Sequence, residues 1–427
     1  MLINPLDKKT TVLTNQNVNS QDVVGEIISY LIQNYSEYLS DITINQEMVE
    51  KIVREKVYQE YASMNTESTI KKILDKLFGY DILQKYIDDE SVSDIRVTRF
   101  DQIYIKKKGK WENAKESFLN EDAFVNFVRY CVLKNKGKIT QEVPIITVAD
   151  RVNNLRIEAG IEPVNVSSPN LVIRIHRPQN TFSLEELFMT PVEMFDYPIY
   201  RFLVEAMIAG CNIVISGKGG SGKTTLMRNL INRIPEELSI TANEETAELY
   251  CTHPNMIERE VISSRTDDKN VTLETLMAHS LVMSNDVIVV GELKGAEAMS
   301  FFDAIATGHR GYATVHADSS VTTIDRLVTL MKRDYKAQMY SNQYLRKMLS
   351  MSVDLIIFMK DFKIQEISEV LYDAEKDDVN YNPLFSFSYE KNELGQIEER
   401  FCSLGEPKGN ALEKLNQYRM KLEIKTA

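Results

Sequence analysis

The residues best equipped for chemistry are Gly217-Lys218-Gly219-Gly220-Ser221-Gly222-Lys223-Thr224, followed by Thr225. They match G-x-x-x-x-G-K-[ST], the phosphate-binding loop. Gly217, Gly219, Gly220 and Gly222 allow tight turns in which successive N–H groups face a phosphate. Lys223 is placed to reach the β- and γ-phosphates, and the Thr224 hydroxyl to hold Mg²⁺ directly. The competing reading is a chance Gly-rich turn, which does not explain Lys and Thr at the required places. The apolar run Cys211 to Ile215 predicts a buried strand before the loop, and Leu226 to Ile231 a helix after it. That helix N-terminus adds a positive field. Binding of ATP or GTP follows.

Hydrolysis needs a group that handles water. Val287-Ile288-Val289-Val290 is a β-branched run that predicts a buried parallel strand, with Gly291-Glu292 at its end. Glu292 is the candidate that polarises or holds the attacking water, touching the metal through water. Asp286, at the strand's start, is a poor metal ligand. Glu244, Glu245 and Glu248 follow a strand expected at Leu238 to Thr241, where acidic groups can orient Mg²⁺ or water. His309 and His316 flank an expected strand, Tyr312–Val315. His316 is placed to sense the γ-phosphate or bind Glu292, and His309 to sit at a subunit boundary. Their spacing is not that of a zinc hydrolase.

The elements that position these groups are legible in outline. Helical spacing runs from about 21 to 37, from Ile44 to Tyr61 and over Ile70 to Phe78, with residues 1–20 polar and poorly ordered. An α+β unit follows over 81–178, with strands expected at Ile95–Val97, Gln102–Lys106, Ile145–Val148, Val152–Ile157 and Leu171–Ile175, and a helix from Phe118 to Leu133. Lys106 to Lys110 reads as a solvated basic turn. Arg151, Arg156, Arg174 and Arg177 suit bidentate phosphate contact, with ordinary surface salt bridges as the alternative. Residues 179–192 are a linker carrying a short helix at Leu184–Leu187. The nucleotide domain spans 193–390 and begins with a helix over Phe195–Ala209. A tail with a charged helix, Ala411 to Leu422, occupies 391–427.

At 427 residues with 43% apolar content, the chain has material for two or three cored domains. Its net charge of −12 argues against broad nucleic acid binding. No apolar run reaches the ~18 residues of a spanning helix. The start of the chain does not read as a secretory signal. The four cysteines lie far apart, without a disulfide or zinc pattern.

Taken as a set, these motifs resemble the secretion ATPase superfamily shared by type II and type IV secretion systems and type IV pili. The nearest resemblance is to its CpaF-like branch of Tad/Flp pilus ATPases, close to conjugation-associated members. It runs from about Ser91 to about Phe385. The family's acidic box looks like Glu244-Glu245-Thr246-Ala247-Glu248-Leu249, with Glu245 in place of the usual Asp. Its Gly-Glu-Val-Arg-Gly-x-Glu element looks like Gly291 to Glu297, with Lys294 in place of the usual Arg. Its histidine box looks like Thr307-Gly308-His309 and Thr314-Val315-His316-Ala317.

The resemblance implies a RecA-like α/β nucleotide domain behind an α+β domain and a helical extension. It implies Glu244 as a catalytic glutamate, and His309 and His316 beside nucleotide. It implies Arg151, Arg174 and Arg177 as arginines that close over the phosphates. It further implies an Mg²⁺- and ATP-dependent homo-hexamer, cytoplasmic and peripheral to the inner membrane through a platform protein. A conjugation-linked DNA translocase and a non-hydrolysing nucleotide-binding scaffold are the alternatives.

Overall fold

A computed structural model describes residues 23, 24, 26, 27, 30, 31, 34, 35, 42–61, 66–107, 109–177, 182–262, 271–392 and 395–426. The expectation for residues 1–20 lies outside them. The chain divides into two compact units, Met1–His176 and Arg177–Ala427.

The first unit opens with helices α1 (Ile42–Glu60) and α2 (Thr66–Leu77). Their apolar stripes, Val49, Val53, Val57, Ile70 and Ile73, close on Val23, Ile27 and Leu31 from a preceding helical stretch. A short helix, α3 (Gln84–Ile87), leads into the α+β part. Six antiparallel strands follow: β1 (Val92–Arg99), β2 (Gln102–Lys107), β3 (Lys110–Asn113), β4 (Ile145–Asp150), β5 (Leu155–Gly160) and β6 (Asn170–Ile175), in the order β3-β2-β1-β6-β5-β4. Helix α4 (Glu121–Lys134) starts at Asn120, whose side chain accepts the Ala123 N–H. It lays Phe124, Phe127 and Val128 on the core formed with the strands. Lys134 and Tyr130 donate to the carbonyls of Phe78 and Leu77, at 2.5 and 3.1 Å, so α4 caps the open end of α2. The expected strand start at Val152 is a turn residue, and β5 begins at Leu155.

The second unit is a nine-stranded sheet with helices on both faces. Its strands are β7 (Ile213–Gly217), β8 (Ile240–Glu244), β9 (Met256–Glu260), β10 (Val287–Leu293), β11 (Arg310–Val315), β12 (Leu355–Lys360), β13 (Lys363–Asp373), β14 (Asp378–Lys391) and β15 (Ile397–Ser403). Their order is β15-β14-β13-β12-β7-β11-β10-β8-β9. From β12 through to β9 every pairing is parallel; β12 to β15 pair antiparallel.

The helices are α5 (Leu184–Phe188), α6 (Tyr197–Ala209), α7 (Lys223–Ile231), α8 (Leu273–Ser280), α9 (Glu297–Ala306), α10 (Ser320–Met331), α11 (Asn342–Ser352) and α12 (Asn410–Thr426). Strand β10 shows why two apolar layers form. Val287 and Val289 enter the core shared with α6 and α7, while Ile288 and Val290 enter the core shared with α9, α10 and α11. A strand buried on both faces must be apolar at every position.

The expected linker, 179–192, contains α5, whose Leu184 and Leu187 join the core around β7. The expected tail is no separate region, because residue 390 falls inside β14 and β15 extends the same sheet. Helix α12 packs Ala411 and Leu415 inward. Its Lys414 pairs at 2.6 Å with the buried Asp354, and its Arg419 at 2.5 Å with Glu205 of α6. The sequence shows a charged helix there; only the fold shows that two of its charges have partners far back in the chain.

Candidate functional site

The phosphate loop connects β7 to α7. Gly217 is needed because a Cβ there would stand 2.2 Å from the Met359 carbonyl oxygen of the neighbouring β12. Gly222 precedes α7 at φ +97, the left-handed region, where a Cβ would meet the Phe362 ring at 2.9 Å. The loop therefore turns sharply into the helix without a capping side chain, leaving the α7 N-terminus directed at the loop.

Lys223 is buried. Its Nζ donates to Gly217 O at 2.7 Å and Lys218 O at 2.9 Å. Burial lowers its pKa, and Glu292 and Glu248 act against that shift. The buried Ser221 hydroxyl makes no hydrogen bond within the protein. An unsatisfied buried hydroxyl, a helix N-terminus and a buried lysine fit a phosphate chain. Thr224, first-turn neighbour of Lys223, is half-buried beside them.

Parallel pairing gathers the rest. Strands β7, β11, β10 and β8 are consecutive neighbours in the sheet, so their C-terminal ends share one edge. That edge carries the phosphate loop, His316, Glu292 and the acidic turn after Glu244, where open α/β sheets bind ligands. His316 Nε2 lies 2.9 Å from Glu292 Oε1. Thr314 Oγ1 donates to the Gly291 carbonyl at 2.5 Å, fixing the backbone just before Glu292. The expected contact between His316 and Glu292 is present.

Glu244 faces into the fold. It is buried, and its Oε1 accepts the N–H groups of Glu248 and Leu249, each at 3.1 Å. It packs so closely on Gly291 that a Cβ there would come within 2.9 Å of it. This carboxyl braces the acidic turn from beneath. Burial raises its pKa to about 8, against the two backbone hydrogen bonds. Folded Glu244 therefore holds its proton more tightly than unfolded Glu244. Its contribution to stability is complete below its ordinary 4.5 and is lost as pH climbs through about 8. Glu244→Gln is expected to flatten that decline. Urea unfolding at pH 5 and pH 9 should show the variant gaining about 1–3 kcal/mol on the parent across the interval.

His309 stands apart from the phosphate loop in this chain. It precedes β11 and so lies at the N-terminal edge of the sheet, opposite the phosphate loop. Its Nδ1 is 3.0 Å from Ala304 O. It lines a cavity of about 650 Å³ with Gly210, Arg310, Lys347 and Lys414. Within one chain it does not meet the nucleotide loop.

Arg151 lies exposed in the turn after β4, and Arg177 just beyond β6. Arg174, on β6, stands opposite Arg156 and pairs with Asp94 at 3.2 Å. Arg326 is in α10, whereas Arg333 follows the end of that helix and donates to Lys294 O at 2.6 Å. Among the described residues no His, Cys, Asp and Glu cluster forms a ready-made metal site. An Mg²⁺ ion would be held by Thr224 and phosphate oxygens, with Glu292 behind water.

Sequence reading did not foresee the role of Lys294. It hydrogen-bonds to Glu245, 49 positions away, and its Nζ lies 3.4 Å from Glu292 Oε2. The signal was available as two departures from one family pattern: an acid one methylene longer and a base with a shorter reach. In the fold they are partners.

Known proteins fit this architecture. The type IV secretion system protein VirB11 of Brucella suis is 26% identical over 336 residues, covering 72% of this chain and 92% of that protein. A putative conjugal transfer protein of Mycobacterium tuberculosis is 25% identical over 261 residues, covering 59% of this chain and 73% of that one. The crystal structure of the pilus retraction motor PilT with bound ADP superposes with a TM-score of 0.51 at 16% identity, over 81% of this chain and 88% of that one, a likeness of fold. No helix among the described residues is long and apolar enough to cross a membrane. The family described as type II/IV secretion system protein matches residues 78–364, well over half of the sequence, and the chain belongs to that family.

Proposed function

We propose that this protein is an Mg²⁺-dependent ATPase that works as a cytoplasmic hexamer. It would drive secretion or Tad/Flp-type pilus assembly through an inner-membrane platform protein. The observation that carries this reading is the meeting of Lys223, Glu292 and His316 along one edge of the parallel sheet. Relatives described as secretion and conjugal transfer proteins support the cellular role. The CpaF-like branch rests on the sequence resemblance.

ATP would supply the scissile phosphoanhydride, and Mg²⁺, held by Thr224, would supply positive charge at its phosphate oxygens. Loop N–H groups and the α7 N-terminus hold the phosphates in this scheme. Lys223 exchanges its carbonyl contacts for phosphate oxygens and balances charge as it builds. Glu292 orients the attacking water and accepts its proton, with His316 fixing one carboxylate oxygen. Arg151, Arg174 and Arg177 are the arginines proposed to close on the phosphates.

The test is phosphate release from ATP by the purified chain, with and without Mg²⁺, single-stranded DNA and duplex DNA. The expected result is Mg²⁺-dependent hydrolysis that DNA leaves within about twofold, since a chain of net charge −12 offers DNA little counterion release. Strong, salt-sensitive stimulation by DNA would favour the conjugation-linked translocase, which one relative's description raises. Binding without hydrolysis would favour a scaffold.

A further inference from the structure

Glu292 is gripped from two sides. His316 Nε2 is 2.9 Å from one carboxylate oxygen and Lys294 Nζ 3.4 Å from the other. The second grip has its own anchor, for Lys294 also bonds Glu245. The backbone of Lys294 is held by Arg333, whose Nη1 reaches its carbonyl at 2.6 Å. Glu292 lies within β10 and Lys294 immediately after it. In the adjacent β8, Asn243 pairs with Val290, and Glu245, just past the end of β8, meets Lys294.

The electrostatics agree with the geometry. Burial pulls Lys294 toward its neutral form, yet Glu245 and Glu292 outweigh it and raise its pKa. The ammonium is therefore charged wherever the enzyme would work. Other titratable groups around Glu292 are His316 at the end of β11 and Lys223 at the start of α7, with Glu248 acting on Lys223 and Glu244 beneath Gly291. Lys294, Glu245 and His316 are each about half exposed. A pair so open to solvent adds little to stability. Its consequence is where it points Glu292.

We propose that Lys294 is a positioning residue for hydrolysis: tethered by Glu245, it fixes the orientation of the Glu292 carboxylate. This rests on the reading that Glu292 handles the attacking water. One side of the grip, Lys294, is anchored by a side chain of the acidic turn after β8. Movement of that turn would release Glu292 from one side.

Lys294→Met, Glu245→Gln, Glu292→Gln and the double variant Glu245→Asp/Lys294→Arg test this together. Affinity is read with a fluorescent ATP analogue, kcat and KM from phosphate release, and folding by thermal melt. Lys294→Met should lose roughly 10- to 100-fold in kcat while nucleotide affinity stays within about twofold. KM should stay within about twofold too, so the loss falls on kcat alone. Glu245→Gln should lower kcat by less, again with KM and affinity kept. The double variant shortens the acid and lengthens the base, so it should recover most of the parent's kcat. A fall in kcat accompanied by weaker affinity or a lower melting temperature, and not recovered in the double variant, would assign Lys294 a merely structural part and overturn the proposal. Parental kcat in Lys294→Met, with Glu292→Gln inactive, would overturn it while leaving the role of Glu292 intact. A fully active Glu292→Gln protein would overturn both.

Discussion

Lys223→Ala is expected to abolish useful nucleotide binding, with affinity for ATP falling at least about 30-fold and turnover becoming unmeasurable. The size follows from the environment. Lys223 is a buried cation whose present partners are two carbonyls of its own loop. A phosphate chain placed there would otherwise meet uncompensated desolvation. Truncating one partner of a buried charged hydrogen bond costs ~2–5 kcal/mol, and tenfold in affinity is about 1.4 kcal/mol. Lys223→Met separates charge from packing, since it keeps most of the buried aliphatic stem. Both variants should lose binding in an equilibrium titration, and the methionine protein should melt closer to the parent. Parental affinity and turnover in Lys223→Met would remove the phosphate loop from the proposed reaction.

Glu292→Gln should give the opposite split. The amide is nearly isosteric, so the backbone set by Thr314 and Gly291 should persist. What is lost is a carboxylate able to take a proton from water while His316 and Lys294 hold its oxygens. Nucleotide affinity should remain within about twofold and kcat should fall roughly 10²–10⁴-fold, the range of a lost general base. Single-turnover measurements with excess protein check that the deficit lies in hydrolysis rather than in product release. A variant that hydrolyses ATP at the parental rate would remove Glu292 from its assigned role.

The phosphate loop and the strand before Glu292 were readable because each depends on local order. Gly217 to Thr224 must be contiguous to wrap a phosphate, and four β-branched residues in a row mark a strand buried on both faces. The contact of Glu292 with His316 was legible as one of two options, from the place of His316 at the C-terminal end of its strand. Glu244 was harder. Its residue type suits catalysis, but which way it faces is decided by Gly291 of another strand, which leaves room for its side chain. His309 illustrates the same limit. Two histidines separated by one strand look like a pair in sequence, yet a strand has two ends, and only His316 is at the end near the loop. The extent of the sheet was also hidden. The hairpin of β14 and β15 is half-exposed and polar along much of its length, so it lacks the apolar run that betrayed β10.

The strand that launches the phosphate loop also imposes an order on biosynthesis. Residues 213–217 of β7 are flanked in the finished sheet by β11 and β12, whose pairing residues run from Tyr312 to Met359. Lys414 then supplies the charge that Asp354, buried at the start of β12, requires. A ribosome making this chain must therefore add roughly 140 residues after the loop before that strand gains both neighbours. It must add some fifty more before the buried aspartate has its counter-ion, with synthesis running at ~5–20 residues per second. For roughly 7–30 seconds β7 lacks one or both neighbours and is an edge inviting other strands. Chains cut short before residue 414 would carry an intact phosphate-loop sequence on an unfinished sheet, making them natural clients for chaperones and proteases.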